Sequence, residues 1–202
     1  KEEPSYEIKA QEGLQKWESG YKQTIELWKK MNKWALDGFN ETYKKLGIKF
    51  DKEYYESKIY TKGKEIVELG IKKGIFSKKD GAVVIDLNKE GLGEKVLLRA
   101  DGTSIYITQD LYLAKLRNEE HSMDGCIYVV ANEQEYHFRV LFTILKKIGF
   151  SFADKLHHLS YGMVELPEGR MKSREGTVID ADDLFEEMQK LSKEELDKRI
   201  KL

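Results

Sequence analysis

The sequence predicts an α/β fold: a parallel sheet with helices between its strands, preceded by a helical and β-hairpin region. Three observations predict it. Residues 126–131 (Cys-Ile-Tyr-Val-Val-Ala) form an unbroken apolar run, the pattern of a strand buried on both sides of a parallel sheet. Residues 135–148 follow with Phe138, Leu141, Phe142, Leu145 and Ile148 on one helical face, and Gly149 stands where the helix must stop. Residues 157–166 then read as a second strand. Strand, helix and strand in that order imply a right-handed parallel crossover.

The remaining elements follow in chain order. Residues 1–50 read as helical, because Trp17, Tyr21, Ile25, Trp28, Ala35, Phe39, Tyr43 and Leu46 recur at helical spacings. Gly20 and Gly38 interrupt that face, and Gly47 is its stop. The aromatic stripe is a packing face rather than a ligand box. Residues 50–57, with Phe50, Tyr54 and Tyr55 among charges, suggest a weak strand. Residues 61–73 suggest an amphipathic helix through Ile66, Leu69 and Gly70, ended by Gly74. Asp80-Gly81 between apolar runs predicts a β-hairpin over 75–87, and Asp101-Gly102 a second one joining 96–99 to 103–107. A loop fills 88–95. Residues 109–120 form a helix with Thr108 as its N-cap, and residues 182–200 a charged helix. The expected division is a helical and hairpin connecting region over 1–95 and a sheet-bearing domain over 96–202.

Composition narrows the function. Lys and Arg number 35 against 36 Asp and Glu, a net charge of −1, so any nucleic-acid contact has to be local rather than spread over the surface. The single cysteine, Cys126, excludes an internal disulfide framework and fits a reducing cytoplasm. No apolar run approaches the roughly 20 residues of a membrane span, and the first residues lack the apolar stretch of a signal peptide. No cluster of His, Cys and carboxylates has metal-site spacing. His157 and His158, adjacent on a strand, face opposite sides and read as ordinary strand residues.

In parallel sheets ligands sit beyond the carboxyl ends of the strands, where helix N-termini point. Three groups fall there. Tyr106 and Asp110 lie at the junction of a strand and a helix. A carboxylate beside a phenol can hold a cation, though taken alone Asp110 reads as a charge stabilising its helix N-terminus. Gln134 and His137 occupy the turn after the buried run, three residues apart. Residues 160–164 lead into Gly169-Arg170-Met171-Lys172-Ser173-Arg174-Glu175-Gly176, three cations bracketed by glycines. Such a loop suits an anion, a nucleotide polyphosphate above all, although composition alone describes a solvated basic turn.

Several of these stretches resemble one family. Gly169-Arg170-Met171-Lys172-Ser173-Arg174 is similar to a degenerate form of the second signature loop of class I aminoacyl-tRNA synthetases, with Lys172-Ser173-Arg174 standing where Ser-Lys-Ser would be. Arginyl-tRNA synthetases commonly carry such a departure. Residues 99–110 (Arg-Ala-Asp-Gly-Thr-Ser-Ile-Tyr-Ile-Thr-Gln-Asp) and 129–138 (Val-Val-Ala-Asn-Glu-Gln-Glu-Tyr-His-Phe) also resemble segments of that family, and the likeness extends over nearly the whole chain. The resemblance implies a Rossmann-like domain, here the C-terminal half of a class I catalytic domain. Tyr106, Asp110 and Gln134 would bind the substrate arginine. His137, the backbone around Gly162, Met163 and Val164, and the loop residues Arg170, Met171, Lys172 and Ser173 would bind ATP, which enters with Mg2+. Lys172 and Arg174 would stabilise charge on the α-phosphate and pyrophosphate. The implied reaction is formation of arginyl-adenylate and transfer of the arginyl group to tRNA(Arg).

The first, His-rich signature of that class is missing from this sequence: His121, His137, His157 and His158 all lack its context. The expected partners are therefore L-arginine, ATP, tRNA(Arg), the N-terminal half of the catalytic domain and an anticodon-binding domain, with no membrane, in the cytoplasm. The expectation is that this chain alone does not activate arginine. Two other readings remain at this point: another adenylyltransferase of the same superfold, or a non-catalytic RNA-binding or assembly module derived from a synthetase.

Overall fold

The computed structural model describes residues 4–60, 62–163, 165–166, 169–170 and 178–200. They fall into two compact units. One contains three helices, α1 (Pro4–Glu18), α2 (Lys22–Lys45) and α7 (Ala181–Ile200). The other contains everything between residues 52 and 170. Residues 95 and 96, where the expected division runs, lie within one strand, Gly93–Leu98.

In the helical unit, the chain breaks between α1 and α2 at Gly20, whose φ of 74° is open to glycine at no steric cost. Gly38, expected as a second interruption, lies inside α2. The half-buried residues of α2 are Thr24, Ile25, Trp28, Leu36 and Thr42, while Ala35, Phe39, Tyr43 and Leu46 of the expected face are exposed. The Trp17 and Trp28 rings meet edge-on at 5.6 Å, and Tyr43 meets Phe50 at 4.8 Å. Asp182 at the start of α7 accepts from Lys45 at 2.8 Å and from the Thr42 hydroxyl at 3.3 Å. No described side chain of this unit is buried.

The second unit holds the core. A short turn, α3 (Glu56–Ile59), replaces the weak strand expected over 50–57. Tyr54 and Tyr55 are adjacent, so a strand would have sent them to opposite faces. Instead Tyr54 donates to Glu120 at 2.6 Å and Tyr55 to Glu53, holding the segment by side chains. Helix α4 (Gly63–Lys72) buries Ile66 and Val67. Strands β1 (Ser77–Lys79), β2 (Ala82–Leu87) and β3 (Gly93–Leu98) form an antiparallel sheet in that order. Asp80 and Gly81 join β1 to β2 with φ values of 50° and 81°, both left-handed, as a two-residue type I′ hairpin requires.

The second expected hairpin shrinks to one bridge between Leu98 and Ser104. Helix α5 (Tyr106–His121) starts there instead, with Ile105 rather than Thr108 at the N-cap position. The cause is burial at helical spacing: Ile107, Leu111 and Ala114 face the core together. Thr108 is fully buried within the first turn and its hydroxyl donates to the Leu97 carbonyl of β3.

Strand β4 (Cys126–Ala131), helix α6 (Glu135–Ile148) and strand β5 (Leu156–Tyr161) complete the unit. β4 and β5 pair in parallel, Cys126 opposite Leu156 and Ala131 opposite Tyr161. On α6, Leu141, Ile144 and Leu145 are fully buried, and Gly149 ends the helix at φ 91°. The sheet departs from expectation on its other face. Ile127 and Val129 are 64% and 63% exposed, because α6 packs on only one side of the strands and no described element covers the second. β5 stops at Tyr161, short of the expected residue 166. Gly162 brings no side chain to pack, and the chain instead forms a separate antiparallel pair, β6 (Glu165–Leu166) with β7 (Gly169–Arg170).

Candidate functional site

The parallel register sets the site. Because Ala131 lies opposite Tyr161, the carboxyl ends of β4 and β5 are side by side. Beyond β4 the chain makes a 3-10 turn over Asn132–Gln134 and enters α6, whose first backbone N–H groups have no partner within the helix. Beyond β5 come Gly162 and Met163, both exposed. Polar ligands are favoured at such an edge, where the helix N-terminus presents donors and a partial positive charge.

Asp110 and His137 meet here from different helices. His137 Nε2 lies 2.7 Å from Asp110 Oδ2, with the two side chains 27% and 39% exposed. Their elements explain the meeting. α5 is pinned by Ile107, Thr108, Leu111 and Ala114, which turns Asp110 toward α6, while Phe138, Val140 and Leu141 bury the other side of α6. The Phe138 ring lies 4.4 Å from that of His158, whose Nε2 is 2.9 Å from the Val130 carbonyl oxygen. His158 is thus a packing residue, while His157, on the opposite face, is exposed.

Gln134 is exposed at the N-cap position of α6, three residues before His137 and so on the same side of its first turn. Tyr106, expected at a strand end, is the first residue of α5 and is 76% exposed. It precedes Asp110 by four residues, which places the two on one face. Lys95, Val96, Tyr106, Tyr136, His137 and Val140 line a concavity of about 240 Å³. Tyr136 is fixed there by its hydroxyl donating to the Leu92 carbonyl at 2.7 Å, and the Lys95 ammonium sits 4.6 Å from the ring centre. Neither residue stands out in the sequence; only the neighbour position of Tyr136 to His137 hints at it.

Of the other expected site residues, Arg170 enters as backbone of β7, paired with Glu165. Val164, Met171, Lys172, Ser173 and Arg174 lie outside the described residues. Among the described residues no group of three or more His, Cys, Asp or Glu side chains is disposed to hold a metal ion, and no helix is long and apolar enough to cross a membrane.

A second polar cluster sits at the other end of α5. Burial and the Glu120 carboxylate push the Tyr54 phenol up to about 12. Burial does the same for Tyr128, also to about 12. The Arg117 guanidinium lies 5.4 Å from both rings.

A parallel strand pair with a carboxylate, an imidazole and a glycine turn at its carboxyl end defines an α/β domain with a strand-end site. The chain belongs to the family described as tRNA synthetases class I (R), catalytic domain, whose model matches residues 1–201. It is 57% identical over 193 residues to the arginine–tRNA ligase of Flavobacterium psychrophilum, covering 93% of this chain and 32% of that protein. It is 59% identical over 180 residues to that of Parabacteroides distasonis, covering 89% and 30%. The chain therefore spans about a third of the length of these relatives. The solved structure of arginyl-tRNA synthetase from Plasmodium falciparum has the same fold, with a TM-score of 0.78 at 21% identity over 94% of this chain and 32% of that one.

Proposed function

We propose that this chain supplies the arginine-binding and part of the ATP-binding surface of an arginine–tRNA ligase. Arginine would be held through its guanidinium by Asp110, flanked by Tyr106 and Gln134, since carboxylate–guanidinium pairing is charge-assisted and can be bidentate. ATP, entering with Mg2+ as substrate, would lie beyond the ends of β4 and β5 against His137 and the backbone of Gly162, Met163 and Val164. Arg170, Met171, Lys172 and Ser173 would approach its phosphates.

In that reading the arginine carboxylate attacks the α-phosphorus and pyrophosphate leaves. A terminal hydroxyl of tRNA(Arg) then takes the arginyl group from the adenylate. Charge develops on phosphate oxygens, so positioned cations lower the barrier, the part given to Lys172 and Arg174. A cytoplasmic location goes with this function. The reaction also needs the His-rich signature that this sequence does not contain, so we expect the remainder of the ligase, including the N-terminal catalytic half and the anticodon-binding domain, to be its working partners.

The observation that carries the reading is the partly exposed Asp110 carboxylate in contact with His137, a residue lining the concavity, with Tyr106 one helical turn away. Calorimetric titration with L-arginine tests it. Binding of L-arginine that L-lysine does not reproduce, and that Asp110→Asn abolishes, is the expected result. Equal heats from both amino acids, or an unaltered Asp110→Asn titration, would refute it.

A further inference from the structure

The carboxylate offered to the guanidinium is already engaged. Asp110 Oδ2 stands 2.7 Å from His137 Nε2, the distance of a charge-assisted hydrogen bond. A carboxylate accepts only, so Nε2 is the donor, and the tautomer or charge state of His137 has to keep a proton there. We infer that His137 is a built-in competitor for the arginine site: in the unliganded protein its imidazole occupies Asp110, and the guanidinium of arginine must displace it. This inference rests on the arginine reading of the preceding subsection.

Three features make displacement feasible. The pair is partly open to solvent, 27% and 39%, so neither group is trapped behind the core. His137 lines the concavity beside Tyr106 and Tyr136, which gives its ring room to leave. The residues that lock α6 are its neighbours Phe138, Val140 and Leu141, not His137 itself. A guanidinium is also the better partner, because its planar fork satisfies both carboxylate oxygens where imidazole reaches one. The exchange has a second consequence. Arginine binding sets free the side chain that the proposed reading gives to ATP, so occupancy of one substrate site is passed to the other by one residue.

The test uses the whole 202-residue chain. Imidazole nitrogen NMR follows His137 during titration with L-arginine, with the His137 signals identified by their loss in His137→Phe. The His137 ring signals should shift in step with arginine and stay fixed with L-lysine. Calorimetry should show His137→Phe binding arginine about three- to tenfold more tightly than the parent. That is less than a buried hydrogen bond to a charged group is worth, because both groups are partly exposed and solvent screens the pair. His137→Ala provides the same comparison should the larger ring disturb folding. A residue that merely shaped the pocket would weaken binding when replaced. If arginine shifts other signals while those of His137 stay fixed, or if both variants bind it more weakly, the displacement is overturned and the arginine site stands. If arginine changes no signal at all, the site reading fails and the inference fails with it.

Discussion

Gly63→Ala examines how α4 sets the placement of the site. Gly63 opens α4 against the first turn of α5, where a Cβ would stand 2.6 Å from the Thr108 carbonyl oxygen, 2.8 Å from its Cγ2 and 2.9 Å from its carbonyl carbon. Two of those atoms are backbone, and Thr108 is wholly buried and bonded to Leu97, so they cannot swing aside as a side-chain tip would. Replacing a helical glycine by alanine ordinarily gains up to about 1 kcal/mol. Overpacking a tight contact costs about 1–3 kcal/mol. The balance is a net loss of about 1–2 kcal/mol, with the N-terminus of α5 pushed outward. Urea unfolding followed by circular dichroism measures the loss, with Gly38→Ala as the control, since a Cβ there meets nothing within 4 Å. Asp110 is two residues beyond Thr108, so the His137 ring signals should move as well. A Gly63→Ala protein as stable as the parent, with those signals unaltered, would refute the reasoning.

Further outcomes are open to measurement. Thr108→Val keeps the shape but removes the hydroxyl donated to Leu97, and should lower stability by about 1–2 kcal/mol in the same unfolding assay. Ultraviolet titration of the tyrosines should show two late ionisations near pH 12, one lost in Tyr54→Phe and the other in Tyr128→Phe. A phenol raised in the folded state from about 10 favours folding below pH about 10, and that contribution is lost as pH rises toward 12. Ile127→Thr with Val129→Thr should change stability by less than about 0.5 kcal/mol each, because both side chains are mostly exposed. Leu141→Ala, at a position with no exposure, should cost about 2–5 kcal/mol by comparison.

The elements with one strong periodic signal were legible in the sequence. Residues 126–131 and 135–148 are β4 and α6 to the residue, and the Asp80-Gly81 turn is where its dipeptide places it. The misreadings around the start of α5 share a cause: a local signal overridden by burial. Asp101-Gly102 suggested a hairpin, but Ile107, Leu111 and Ala114 have a core to reach and draw residues 106–108 into α5. Thr108 looked like a cap because threonine often is one, whereas its hydroxyl is spent on β3. At the site, the rule that ligands lie beyond the carboxyl ends of parallel strands brought Asp110 and His137 to the same edge, and only their roles came from family resemblance. Their direct contact is a product of how α5 and α6 pack, which no spacing between residues 110 and 137 encodes. Lys95 and Tyr136 escaped notice for the same reason, since β3 and α6 meet only in three dimensions.

The one-sided sheet bears on how the site should be understood. An apolar run such as Cys126–Ala131 reports how much apolar surface a strand offers, not how many neighbours cover it. Parallel sheets bury both faces, yet Ile127, Val129, Leu159 and Tyr161 each remain more than half exposed on one side of β4 and β5. The same strands end at the candidate site, so their bare face and the site's open edge adjoin. The concavity beside His137 has walls from β3, α5 and α6 only. A ligand held beside it by Asp110, whose side chain is itself partly exposed, would keep much of its surface in water, and an exposed ion pair contributes little affinity. On the arginine reading proposed above, the expected outcome is weak arginine binding with selectivity over lysine: bidentate pairing at the carboxylate would favour guanidinium over ammonium, and enclosure would set how tightly it is held.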